Sequence, residues 1–330
     1  MVGGENHAAA PQPREAKWDE DAFGEIRRLG ARLGGEGPLK FGFVLPNYGD
    51  RIAASDLVEI SRVCEEEGFD SVWATDHVIM PSELREPYGQ LLEPFVTLSF
   101  VAAATDRVKV GTSSIVLPQR NPILVAKQAA ALDVFSGGRA ILGMGIGWAE
   151  KEFEYLGADF RRRASIMDES IRLMRSLWSD EVVNFEGKHF SLHDALFLPK
   201  PRQGTIPIWV AGNSDGAVRR AAKIGDGWHP VGLELGKYKA GAATIGKSGR
   251  SVTVSLRVTV DLRKKREDAV ARDGERRTSF SGSPDDIRKS MEEYESAGME
   301  YCCASILHPS AAEIVADVRK FASEVIGSYG

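Results

Sequence analysis

A closed (β/α)8 barrel is the fold this sequence predicts, and three observations point to it. Short apolar runs alternate with longer segments of helical period, eight such units can be counted, and they occupy roughly 290 residues, a normal barrel size with insertions. Composition is consistent with one large core: of 330 residues, 43% are hydrophobic and 27% charged.

The first 38 residues stand apart. MVGGENHAAAPQPREAKW is polar and rich in Pro and Ala, and LGGEGP ends the segment on chain breakers. Ala22, Ile26, Leu29 and Leu33 recur at helical spacing. Residues 1–38 therefore read as a partly flexible extension with a short helix, and 39–330 as the barrel domain. Asp19, Glu20, Asp21 and Glu25 argue against a transit peptide.

The eight strand candidates begin at Lys40 (KFGFVLP), Asp70 (DSVWAT), Val108 (VKVGTSS), Arg139 (RAILGMG), Ile206 (IPIWVAG), Asp226 (DGWHPVG), Val252 (VTVSLRVTV) and Glu300 (EYCCASIL). The clearest helices span 53–67, 122–135, 161–178, 284–297 and 311–326. Ser283 before Pro284, with acids in the first turn, is a start signal. Residues 182–205 break the alternation and read as a hairpin inserted after the fourth unit, placed to cover the active site as a lid.

Net charge is −5, which argues against a grip on nucleic-acid phosphates or an anionic membrane surface. No run of about 18 apolar residues marks a membrane span. Cys64, Cys302 and Cys303 lack CxxC spacing and read as buried thiols of a cytosolic protein.

Barrel chemistry sits at the C-terminal ends of the strands, so the residues after each apolar run are the candidates. They are Asn47 and Tyr48 after the first, Asp76 and His77 after the second, Ser113 and Ser114 after the third. Gly145, Gly147 and Trp148 follow the fourth, Gly212, Asn213 and Ser214 the fifth, and His229 the sixth. Asp76–His77 is the sharpest pair, because a histidine at a strand mouth exchanges protons near pH 7 and a neighbouring carboxylate can orient it.

GMGIGW fails as a dinucleotide fingerprint, since its sixth position is Trp148. Its glycines suit close approach of a flat ligand to the backbone, on which Trp148 could stack. Gly212 to Ser214 join a strand to a helix, where free N–H groups and the helix dipole favour an anion such as phosphate. His189 and His193 have metal-like spacing on a hairpin that would not bring them to one face, and no metal is assigned. A metal hydrolase using Asp76, His77 and His229 stays open as a minor reading.

Taken together, KFGFVLPNYG, EEEGFDSVWATDH, the block GTSSIVLPQRNPILVAKQAAALDVFSGGRAILGMGIGW, PIWVAGNS, AAKIGDGWHP and SGSPDDIRKSMEEYESAGMEY resemble the bacterial luciferase-like oxidoreductases, in particular the branch using the deazaflavin coenzyme F420. Coverage runs from about Lys40 to Val325. The resemblance implies a ring at the barrel mouth, supported by a bulge with a cis peptide between Ser113 and Ser114, and phosphate held by Gly212, Asn213 and Ser214. It places Asp76 and His77 beside the deazaflavin, the histidine as acid or base. It also implies a homodimer. Sugar-phosphate dehydrogenases of this family place a glutamate where this chain has Trp148.

The expected function is hydride transfer between F420 and a small organic substrate, with Asn47, Tyr48 and His229 in the substrate pocket. An FMN-dependent monooxygenase on the same barrel and a non-catalytic flavin-binding barrel are the alternatives.

Overall fold

Eight parallel strands close into a ring. In the computed structural model, which describes residues 38–49, 53–266, 268–271, 274–306, 308 and 310–329, β1 (Lys40–Val44), β2 (Ser71–Ala74), β3 (Lys109–Val116) and β4 (Ala140–Gly145) are followed by a separate pair, β5 (Val183–Glu186) and β6 (Ser191–Ala195). Then come β7 (Ile208–Ala211), β8 (Gly227–His229), β9 (Thr253–Asp261), the short strands β10 (Ala269–Val270), β11 (Arg276–Arg277) and β12 (Ser279–Ser281), and β13 (Tyr301–Ser305). Around the barrel the order is β1, β2, β3, β4, β7, β8, β9, β13 and back to β1. All eight expected strands are in this ring. The expected helix within residues 1–37 lies outside the described residues.

The outer layer is α1 (Ala54–Glu66), α2 (Pro94–Ala102), α3 (Pro122–Phe135), α4 (Glu150–Tyr155), α5 (Arg163–Ser179), α6 (Asp215–Ile224), α7 (Leu235–Gly246), α8 (Pro284–Glu295) and α9 (Ala311–Glu324). Local chemistry starts several of them. Asn121 accepts from the N–H groups of Ile123 and Leu124 ahead of Pro122, and Ser283 forms a capping box with Asp286.

Two apolar layers follow from the strand alternation. Residues such as Phe43, Val72, Leu142, Val210 and Leu256 face the helices in one continuous core. Val44, Trp73, Ile141, Trp209, Tyr301 and Cys303 fill the barrel itself. Glycines on neighbouring strands make room for the two indoles: a Cβ on Gly111 would come within 2.3 Å of Trp73, and one on Gly227 within 2.5 Å of Trp209. This aromatic plug leaves the chemistry to the strand ends above it.

The hairpin insertion is present, but not as a lid. Glu169 of α5 accepts from the N–H groups of Lys188, His189 and Phe190, which ties the β5–β6 turn to the outside of the barrel. Gln203 bonds Asp133 and the carbonyl of Ala140, at the opposite pole from the mouth. The expectation that 182–205 covers the site is therefore corrected: three backbone N–H groups facing one carboxylate hold it against α5.

Candidate active site

The strand mouths surround a cavity of about 360 Å³, lined by every candidate residue except Asn47. Asn47 is fully buried and bound to backbone, giving its amide to the carbonyls of Thr75 and Leu92 at 2.8 Å each and accepting from Thr75 N–H at 2.9 Å. It ties β1 to β2 beneath the site. This replaces its expected place in the substrate pocket.

β3 breaks register with β4 between Thr112 and Ile115, and within that bulge the Ser113–Ser114 peptide is cis. A Cβ on Gly143 would lie 2.1 Å from the carbonyl oxygen of Thr112, so only glycine lets β4 pass this close. Gly145 packs against Ser114, where a Cβ would meet the hydroxyl at 2.9 Å. Gly147 has another reason to be glycine: its φ is +77°, and Val116 and Phe153 fill the space a side chain would need.

Beneath the bulge runs a directed hydrogen-bond chain. Ser255 Oγ lies 2.8 Å from the carbonyl of Trp228, which can only accept, so Ser255 donates there and accepts from His229 Nδ1 at 2.8 Å. Burial, and then the charge of Arg257, push His229 down to about 3, so the imidazole is neutral. Nε2 therefore accepts from Ser113 Oγ at 2.9 Å. His229, fully buried and stacked on Trp73 at 5.2 Å, supports the bulge from below.

His77 sits on the other side. Its Nδ1 is 3.0 Å from Oε2 of Glu152, and the other Glu152 oxygen accepts Val78 N–H at 2.7 Å. Burial raises the Glu152 carboxyl, but the hydrogen bond and charge of His77 and the N–H of Val78 bring it below its ordinary value. An ionised Glu152 accepts the hydrogen bond from Nδ1–H, which fixes that tautomer and leaves Nε2 without the ring's proton.

The sequence pointed to Asp76 as the orienting carboxylate, and the structure gives it other partners. Asp76 binds Arg120 Nη2 at 2.6 Å and Nε at 3.2 Å, and accepts Val116 N–H at 3.0 Å. It clamps β2 to the end of β3.

Trp148 and Tyr88 wall the cavity beside His77, with ring centroids 5.8 and 4.7 Å from the imidazole. Burial, opposed by the charge of Arg257, raises the Tyr48 hydroxyl. Across the cavity, Gly212 has φ +133° and Ser214 caps α6 by accepting from Ala217 N–H. The Asn213 amide exchanges two hydrogen bonds of 2.9 Å with the backbone of Val231. An anion there would meet backbone N–H groups at the α6 N-terminus, with Asn213 holding the loop.

Tyr88, Glu152, Arg257, Glu275 and Arg277 escaped the strand-end rule. Tyr88 closes a one-turn helix (Arg85–Tyr88), Glu275 and Arg277 come from a hairpin, and Glu152 from α4. Arg257 had a signal: it is the lone charge in the apolar run VTVSLRVTV.

The family model "Luciferase-like monooxygenase" matches residues 39–272. The F420-dependent glucose-6-phosphate dehydrogenase of Kineococcus radiotolerans is 38% identical over 195 residues, 58% of this chain and 56% of the relative. The protein of the same name from Amycolatopsis mediterranei is 32% identical over 227 residues, 64% of this chain and 67% of the relative. The match thus spans about half the length of the first and two thirds of the second. Among solved structures, the coenzyme F420-dependent tetrahydromethanopterin reductase of Methanopyrus kandleri superposes with a TM-score of 0.73 at 18% identity, over 89% of this chain and 100% of that one. That likeness shows a shared fold.

Proposed function

The chain belongs to the luciferase-like monooxygenase family, and from that premise we propose that it is a coenzyme F420-dependent oxidoreductase acting on a small organic substrate. One observation carries the reading: the Ser113–Ser114 bulge and His77, which the buried Glu152 holds from behind, face the same cavity. The names of the curated relatives support F420 over FMN.

The residues present fit such a cofactor. Gly145 leaves the bulge open to a flat ring, Gly212 to Ser214 offer backbone donors for phosphate, and the buried hydroxyl of Thr75, which also lines the cavity, has no partner among the described residues. When bound, the deazaflavin supplies a carbon that accepts or gives hydride.

The chain's own residues do the rest. Ser113 and Ser114 seat the ring, and Glu152 fixes the His77 tautomer so that Nε2 holds or releases the proton that accompanies hydride movement. Asp76, paired with Arg120, positions the β3 end through Val116 N–H. Tyr48, Tyr88 and Trp148 exclude water and give the substrate side aromatic walls. Trp148 stands where the resemblance places the sugar-phosphate enzymes' glutamate, which argues against a sugar-phosphate substrate.

We also infer a homodimer in the cytosol. α2 and α3 carry apolar residues on both faces, and Val96, Phe100, Leu124 and Phe135 are each more than half exposed, a surface suited to a second copy. Among the described residues no helix is long and apolar enough to cross a membrane.

The test is turnover under argon with F420 against a panel of small alcohols and aldehydes, beside oxygen uptake with reduced FMN. Anaerobic F420 turnover with no FMN-dependent oxygen uptake is expected. Oxygen uptake alone would favour the monooxygenase, and binding without turnover the carrier.

A further inference from the structure

Arg257 reaches the cavity from the inward face of β9. Its Nη1 donates to the carbonyl of Ser113 at 2.6 Å and approaches the hydroxyl at 3.2 Å. Because the Ser113 hydrogen goes to His229, that hydroxyl offers only lone pairs to Arg257.

No carboxylate forms an ion pair with Arg257 among the described residues, whereas the two acids lining this cavity have partners: Asp76 is held by Arg120 and Glu275 by Arg277. A guanidinium carries five N–H donors in a rigid fork, and the Ser113 contacts use Nη1 alone. The Tyr48 hydroxyl is a further hydrogen-bond partner of this guanidinium, but no protein carboxylate among the described residues pairs with the half-buried cation, which is fixed to the peptide that forms the bulge.

We infer that Arg257 supplies the positive charge that makes this site bind the reduced deazaflavin more tightly than the oxidised one. The inference rests on the F420 reading above. The reduced ring differs from the oxidised one by a hydride, that is two electrons and one proton, and so by one negative charge; its pyrimidine N1–C2=O edge shares that charge. A cation anchored to Ser113 would meet this edge with donors already oriented, at little reorganisation cost. A substrate anion is the competing use of Arg257, but the pinning to Ser113 places the charge at the ring support.

The test measures dissociation constants of oxidised and reduced F420 under argon for the wild type, Arg257→Met and Arg257→Lys, with circular dichroism confirming the fold. Arg257→Met should weaken the reduced form at least tenfold more than the oxidised form, lowering the bound midpoint potential by about 30 mV for a two-electron couple. Arg257→Lys should recover most of that difference. Equal loss for both forms, an unchanged ratio, or an effect confined to substrate KM would overturn the inference while leaving the F420 reading in place. A wild type that binds neither form would overturn both.

Discussion

Glu152 holds His77 across 75 residues of sequence, its Oε2 3.0 Å from the imidazole Nδ1, with Val78 N–H on its second oxygen. Glu152→Gln keeps the shape but lets the side chain offer an amide where Nδ1–H needs an acceptor. Turnover should fall by about 10- to 100-fold with little change in cofactor affinity. A pH series checks the cause: Glu152, held below its ordinary value, stabilises the fold above the unfolded carboxyl range, and that contribution is lost as pH falls through the native value. Urea midpoints of Glu152→Gln should therefore vary less with pH in the acid range than those of the wild type.

His77→Ala should retain cofactor binding and lose at least about tenfold in turnover, the scale of one general acid–base group. Steady-state kinetics beside a binding titration decides this, and unchanged turnover would remove His77 from the mechanism.

The legibility of the site followed its distance from the strand ends. Parallel strands covered on both faces read as apolar runs, so KFGFV and YCCAS were visible as strands. His77, Ser113 and Gly212 came with them, one residue or two past an apolar run. PFVTLSFVA of α2 shows no polar stripe and LGKYKAGAATIG of α7 is interrupted by glycines, so neither carries a helical period in the sequence. The partner of His77 could not be read at all. Asp76 is adjacent in sequence, yet the backbone after β2 sends its carboxylate toward Arg120, and only the folding of α4 over the mouth brings in Glu152.

His229 makes stability depend on pH. An unfolded histidine protonates near 6.5, whereas burial and then Arg257 push native His229 down to about 3. Between those values the unfolded chain binds more protons, so the contribution is full above pH 6.5 and is lost as pH falls, by about 1.4 kcal/mol per unit. Urea unfolding of the wild type and His229→Gln at pH 7 and 5 should show the wild type with the steeper loss.

Arg120→Met leaves the Asp76 carboxylate buried without its cation, and removal of one partner from a buried pair costs about 3–5 kcal/mol. Thermal melts should show the loss. A double variant, Arg120→Met with Asp76→Asn, should recover part of it.

Gly143→Ala should disturb the ring support directly, since the new methyl group would overlap the carbonyl of Thr112. Overpacking of this kind costs about 1–3 kcal/mol, and cofactor affinity should fall with stability. Fluorescence titration beside a melt measures both.

The central claim is that this cavity is built for a deazaflavin. Fluorescence titration of the purified apoprotein with coenzyme F420, and separately with FMN, tests it most directly. Saturable, tight binding of F420 with weak or absent binding of FMN is the predicted result; preference for FMN, or binding of neither, would contradict it.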